Sequence, residues 1–282
     1  GSEGECSRAT FAETLRAGEE TGSLDKAFQT VYDHTDRQTK NAGRIRQAMA
    51  YPLFVLVIAV VVVAVLMIRV VPTFMAIFDS YDAELPGITK ALIGISNFFS
   101  KWWMLLLAVI AVIIVVCKLY GNTEKGRLSF AKLALKLPVF GNINELNAAS
   151  QFANTMATML QAGMPMTRAV SITAKVISNY HISLEVGKLS GKLEEGRSLG
   201  DSLRESACLP DILVDMVAVG EETGELEKTL NTVAGYYDTE LEMAITSALN
   251  KLEPAVLIVM AAVAGFIVIA VYMAMFQMYS VM

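Results

Sequence analysis

Histidine and paired cysteine are almost missing from this sequence. Its 282 residues hold two histidines, His34 and His181, and three cysteines, Cys6, Cys117 and Cys208. The histidines are far apart in the chain, so a two-histidine zinc site is not expected and solvated helix positions are the better reading. No two cysteines stand at metal or redox spacing, and an odd, scattered set reads as free thiols. The Gly-x-Ser-x-Gly and His-Glu-x-x-His patterns of hydrolases and zinc proteases are absent. The nearest approach to a phosphate loop, Gly121-x4-Gly126, carries Arg127 and Leu128 where a lysine and a hydroxyl are required. No catalytic, cofactor-binding or metal-ligating residue is therefore assigned. The first residues, Gly1-Ser2-Glu3-Gly4-Glu5, lack the apolar core of a signal peptide.

Charge is also scarce. Charged residues make up 18% of the chain and hydrophobic ones 54%, with a mean hydropathy of +0.47. Soluble chains carry about 25% charge and 45–50% apolar residues, so this composition points to a membrane. A crossing helix needs roughly 20 apolar residues, and three stretches approach that length. Residues 53–68 are uncharged, and 13 of the 16 are Leu, Ile, Val or Phe. Insertion of that stretch is favoured by on the order of 5 kcal/mol, enough to outweigh Arg69 at its edge. Residues 102–117 form the second, between Lys101 and Lys118, and 255–282 the third, with no formal charge. Arg37, Lys40, Arg44 and Arg46 precede the first stretch; Lys118, Lys125, Arg127, Lys132 and Lys136 follow the second. Cationic flanks face the cytoplasm, so both polar regions are expected there. The 73–100 connection and the C-terminal end are expected outside. A net charge of −5 argues against nucleic-acid binding.

What is present most distinctively is a repeat. Gly18-Glu19-Glu20-Thr21-Gly22-Ser23-Leu24 returns as Gly220-Glu221-Glu222-Thr223-Gly224-Glu225-Leu226 at a constant offset of 202. The same offset places Pro52 on Pro254, and an apolar run follows each proline. One structural unit is used twice. The expected map is the end of a first cytoplasmic helical domain at 1–50, a membrane helix at 51–72, an external connection with an interfacial helix at 73–100, a second membrane helix at 101–120, a second cytoplasmic bundle at 121–252 and a third membrane helix at 253–282. The interfacial helix is placed at 85–100, finished by the aromatics Phe98, Phe99, Trp102 and Trp103.

The second bundle reads as helix throughout. Apolar spacing and Gly or Pro punctuation place helices at 125–137, 146–161, from Pro165, at 183–195 and 198–205, from Pro210 to Gly224, and from 225 onward. In the last of these Leu226, Leu230, Val233, Tyr237 and Leu241 form one stripe. It is expected to continue through Pro254 into the membrane, where proline is tolerated. Only two helices of the first bundle fall within 1–50. The expectation is that the chain is N-terminally truncated or that another chain completes that core. Ala261 and Gly265 have a spacing that lets membrane helices approach closely, a pattern common in apolar runs.

The carboxylate pairs Glu19/Glu20 and Glu221/Glu222 invite an acid/base or metal reading. Neighbours on a helix point about 100° apart and do not converge on one site. A helix end is the preferred reading, with Gly22 and Gly224 closing one helix and Glu225 starting the next. A surface for a basic partner or a hard-cation site between the two bundles stays open. Charge reversal at Glu221 and Glu222 is expected to weaken partner docking without unfolding the chain.

The two Gly-Glu-Glu-Thr-Gly-x-Leu segments are joined by Tyr51-Pro52, Glu253-Pro254, Leu137-Pro138-Val139-Phe140-Gly141, the run from Phe152-Ala153 to Gly163-Met164-Pro165, and Glu195-Gly196-Arg197-Ser198-Leu199. Through these the chain resembles the platform proteins of type IV pilus assembly and type II secretion, the PilC/GspF family. The resemblance implies an all-α integral membrane protein with GspF-like helical-bundle cytoplasmic domains of six to seven helices, linked to three transmembrane helices. It implies a multi-pass protein of the bacterial cytoplasmic (inner) membrane that forms a homo-oligomer, a dimer or higher. A cytoplasmic hexameric assembly ATPase would dock below it, major and minor pilins or pseudopilins would be lifted from the bilayer into a filament, and other inner-membrane assembly proteins would surround it. It implies no enzyme activity and no cofactor. The motif positions carried over as interaction or structural sites are Gly18, Glu19, Glu20, Gly22, Pro52, Gly163, Pro165, Gly220, Glu221, Glu222, Gly224 and Pro254. A membrane transporter subunit or a membrane-anchored enzyme is the alternative. Against transport, the polar residues Arg69 and Gln277 lie near span ends and three spans make no inverted repeat.

Overall fold

The computed structural model describes residues 87–281 together with Phe54, Val55, Val57, Ile58, Val61, Val62 and Val65. The expected first domain with Gly18, Glu19, Glu20 and Gly22, Pro52, most of the 51–72 crossing and the 73–86 part of the connection lie outside the described residues. The described residues are helical, with no strand among them. The elements are α1 (Gly87–Gly121), α2 (Glu124–Lys136), α3 (Phe140–Gln161), α4 (Met166–Val176), α5 (Tyr180–Glu194), α6 (Leu199–Ser206), α7 (Asp211–Thr223) and α8 (Leu226–Val281). The chain divides into two units, one carrying Tyr120–Ala248 and the other Ile45–Leu119 with Leu249–Met282.

In the first unit the helix boundaries follow local chemistry. Thr123 starts α2 by accepting from the Gly126 amide at 3.2 Å. Asn179 starts α5 by accepting from the His181 and Ile182 amides at 3.0 and 3.2 Å. Ser198 starts α6 by accepting from Asp201 at 3.1 Å. Each satisfies donors that a helix start leaves open. Pro165 and Pro210 stand one residue before the first turns of α4 and α7. Gly163 follows α3 at φ 75°, and the Met164 amide reaches back to the Met159 carbonyl at 3.0 Å.

These helices close one core. Phe152, Met156 and Met159 of α3 meet Val170 of α4, Ile182, Val186 and Leu189 of α5, Leu203 of α6, Leu213 and Val217 of α7, and Leu230, Val233 and Tyr237 of α8. α4 packs on both α3 and α5, α6 on α5 and α7, and α2 on α3 and α5. Asn179 also donates to the Ala131 carbonyl at 3.2 Å, tying α2 to the start of α5. A polar clasp crosses the α3–α8 seam. Ser150 Oγ and Asn154 Nδ2 donate to Asp238 Oδ1 at 2.5 and 3.1 Å.

Tyr237 is 2% exposed, and its hydroxyl makes no well-formed hydrogen bond; the Leu213 backbone acts on it only at poor geometry. A buried hydroxyl with so weak a partner costs desolvation and returns little. Tyr237→Phe is therefore expected to leave the thermal midpoint of the detergent-solubilised chain unchanged or to raise it, by up to about 1 kcal/mol of stability. A lower midpoint would show that the hydroxyl is bonded.

Three boundaries differ from the sequence reading. The interfacial helix expected at 85–100 is not a separate element, because α1 runs unbroken from Gly87 through Ser100 to Gly121. No Gly or Pro occurs between Phe98 and Trp103 to stop it. α3 begins at Phe140, six residues before the expected start, since a tight turn at Val139 releases the chain straight into helix. α5 begins at Tyr180, three residues early, where Asn179 caps it.

In the second unit, α8 contributes its C-terminal part. The boundary between units falls inside this 56-residue helix, which contains Pro254 without interruption. Among the described residues α8 is the one helix long and apolar enough to cross a membrane; the apolar stretch Ala111–Gly121 of α1 is shorter. Phe54, Val57, Ile58, Val61, Val62 and Val65 are helical and exposed.

Candidate functional site

The second copy of the repeat builds the corner where α6, α7 and α8 meet. α7 ends at Thr223, and Gly224 takes φ 71°, a left-handed conformation that only glycine adopts freely. The chain then turns into α8 at Leu226, which is buried. Gly220 is buried one turn earlier. The Thr223 hydroxyl donates to the Val219 carbonyl at 2.8 Å.

Glu221 faces inward. Its Oε1 accepts from the Leu199 amide at 2.8 Å and its Oε2 from the Gly200 amide at 2.9 Å. These amides are two of the open donors at the start of α6. A carboxylate is held there by charge-assisted hydrogen bonds and by the positive end of the helix dipole. The approach is close. A Cβ on Gly200 would stand 2.7 Å from Ala218 Cβ and 2.8 Å from its Cα, so only a residue without one fits against α7. Glu222, the next residue, is exposed. The two carboxylates thus diverge, as adjacent helical residues must.

This placement corrects one expectation. Reversing the charge at Glu221 cannot leave the fold untouched, because its carboxylate fills two backbone donors. Only Glu222 is available to a partner. The residues that sequence reasoning missed are Leu199, Gly200 and Ala218. Ser198-Leu199-Gly200-Asp201 carried the local signal of a helix start. Nothing local signalled that a residue 22 positions later would complete it.

Around this corner lie exposed ion pairs. Glu205 bridges Lys192 at 2.9 Å and Arg197 at 2.7 Å, which hold its carboxyl below the usual range. Arg204 meets Asp215 at 3.0 Å, linking α6 to α7. Such surface pairs contribute little individually. Burial pushes the Cys208 thiol up, the opposite of the shift that activates a nucleophile. Among the described residues no group of three His, Cys, Asp or Glu side chains could hold a metal ion. Of the remaining motif positions, Gly163 and Pro165 lie in the α3–α4 turn, and Pro254 lies within α8. They do not join the corner.

A profile of the family described as "Type II secretion system (T2SS), protein F" matches residues 2–72 and 152–274. Each matched segment holds one copy of the repeat. The chain belongs to the type II secretion system protein F family. Among its relatives, the type IV pilus assembly protein PilC of Pseudomonas aeruginosa is 30% identical over 269 residues, covering 95% of this chain and 72% of the relative. PilC of Thermus thermophilus is 31% identical over 268 residues, covering 95% of this chain and 66% of that protein. The type II secretion system protein F of Aeromonas hydrophila is 30% identical over 261 residues, covering 93% and 67%. The chain thus spans about two thirds of the length of the relatives it matches. In this family member the Gly-Glu-Glu-Thr-Gly-x-Leu segment at 220–226 is a packing corner, and its carboxylate at 221 belongs to the fold.

Proposed function

We propose that this chain is a platform protein of the bacterial cytoplasmic membrane that couples a cytoplasmic assembly ATPase to extraction and polymerisation of pilins, in a type IV pilus or a type II secretion pseudopilus. In this reading it crosses the bilayer at 51–72, 101–120 and 253–282, with both helical bundles in the cytoplasm and homo-oligomers as the working form. It performs no catalysis itself. The names of its relatives, in pilus assembly and in type II secretion, support the class of machine. The observation that carries the coupling is α8. Leu230, Val233 and Tyr237 anchor this helix in the bundle core, and the same helix, without a break, becomes an apolar run after Pro254. A continuous helix that is core at one end and apolar at the other can pass a displacement of the bundle along the chain into the bilayer.

The test is to make that helix compliant. Inserting Gly-Gly-Ser between Leu249 and Asn250 at the chromosomal locus removes helix continuity at a cost of roughly 1 kcal/mol per glycine. Surface filaments, or secretion of the exported protein, are expected to disappear while the protein stays at its normal level in the membrane. Normal filament assembly by the insertion variant would overturn coupling through α8.

A further inference from the structure

We propose that the outer face of α2 and the turn into α3 form a docking surface for anionic lipid headgroups. In this surface Phe130, Leu133, Leu137, Val139 and Phe140 are all exposed, Phe140 at 64%. On α2 Phe130 and Leu133 lie about 60° apart at 100° per residue, and Leu137 follows as the residue just past its end. Lys125, Lys132 and Lys136, also exposed, fall within an arc of about 40° beside it. The opposite face is already committed to the bundle. Leu135 packs on the core, the Ala131 carbonyl accepts from Asn179, and the Arg127 guanidinium lies 4.4 Å from the Tyr180 ring centre. Binding at the outer face therefore needs no rearrangement of α2.

The turn is held in an unfavourable conformation. Val139 has φ 72° and ψ −55°, and the Phe140 amide donates to the Pro138 carbonyl at 2.9 Å. A γ-turn of this hand is rare, and a β-branched residue is the least suited to it. It projects two further apolar side chains, Val139 and Phe140, at the end of the α2 stripe. The turn also serves the bundle, since it sets buried Gly141 against the Leu135 carbonyl where no Cβ would fit, but the side chains of Val139 and Phe140 are left outside that contact.

Charge and chain position select the occupant. α2 carries four cations against one acidic residue, Glu124. Its apolar stripe, bordered on one side by lysines, fits a helix lying in a headgroup layer, with apolar groups sunk and lysine stems reaching up to phosphate. Only Asn122 and Thr123 separate α2 from the apolar stretch Ala111–Gly121. Three Cα–Cα steps join Gly121 to Glu124, at most about 11 Å, so α2 starts close to the edge of whatever that stretch is dissolved in. The inference rests on the membrane reading given above.

The experiment uses the full chain with Cys6, Cys117 and Cys208 changed to Ser, reconstituted in phosphatidylcholine vesicles with and without phosphatidylglycerol. A fluorophore is placed at Leu133→Cys, at Glu222→Cys as a solvent control, and at Ile258→Cys as a membrane control. Quenching by nitroxide-labelled lipid and by aqueous iodide is read for each. Lipid quenching at 133 is expected to appear with phosphatidylglycerol and to weaken when Lys125, Lys132 and Lys136 become Gln, by about fivefold in the contact equilibrium per lysine. If 258 is quenched by lipid but 133 only by iodide, the docking surface is wrong and the membrane reading stands. If 133 is shielded from both quenchers, a protein surface covers the patch and the proposal fails. Quenching indifferent to lipid charge overturns the anionic assignment. If 258 is not lipid-quenched, the membrane reading itself fails.

Discussion

Glu221→Ala is expected to destabilise the 120–248 bundle by about 2–4 kcal/mol, while Glu222→Ala changes it by less than about 0.5 kcal/mol. The difference follows from what each carboxylate touches. Removing Glu221 leaves the Leu199 and Gly200 amides without acceptors in a part-buried corner. Each is a bond to a charged group, the stronger class. Glu221→Gln keeps one acceptor oxygen but turns an amide donor toward the other amide, so its loss should be intermediate. Glu221→Lys, a cation at the positive end of α6, should be the worst of the series. In thermal melts of the detergent-solubilised chain the alanine variant should fall by roughly 10 °C. Equal midpoints for the Glu221 and Glu222 variants would show that the corner is not held by this carboxylate.

Gly200→Ala is expected to cost as much as or more than the loss of Glu221. The new methyl would sit 2.7 Å from Ala218 Cβ and 2.8 Å from its Cα. Backbone atoms cannot step aside as a flexible side chain can, so the start of α6 must lift from α7. Overpacking of this kind costs about 1–3 kcal/mol, and the lift also stretches the two Glu221 bonds. A total of about 3–5 kcal/mol is expected. Two internal checks follow. Ala218→Gly in the Gly200→Ala background relieves the methyl clash but leaves the Cα in place, so recovery should be partial. Gly200→Ala and Glu221→Ala should be less than additive, because the first already undoes what the second removes. Full additivity would separate the close approach from the cap.

How much of this was legible in the sequence depends on how local each signal was. The α3–α4 turn was readable from Gly163 and Pro165, the start of α7 from Pro210, and the end of α7 from Gly224, because each residue acts through its own backbone preference. The α8 stripe from Leu226 to Leu241 was readable from spacing alone, and all five of its residues are buried. The start of α3 was not, because Gly141, Asn142 and Asn144 are weak helix formers and the turn before them uses a valine where its backbone calls for glycine. The continuity of α1 was hidden by aromatics that resemble a membrane-surface belt. The partner of Glu221 was unreadable in principle: its amides belong to the backbone of Leu199 and Gly200, and an amide leaves no mark on residue identity. Gly200 left a mark, but only the position of Ala218 explains it.

The clasp between α3 and α8 has a mechanical meaning. A stripe of leucine, valine and tyrosine would tolerate axial slip by one turn, about 5.4 Å, since one aliphatic pocket resembles the next. Asp238 resists it, because a one-turn slip would break its bond to either Ser150 or Asn154 and set the carboxylate against Leu146 or Thr158 instead. The interaction works as a detent. It permits one axial setting of the long helix, so a tug along that helix is met by the whole bundle instead of being lost as creep at its grip.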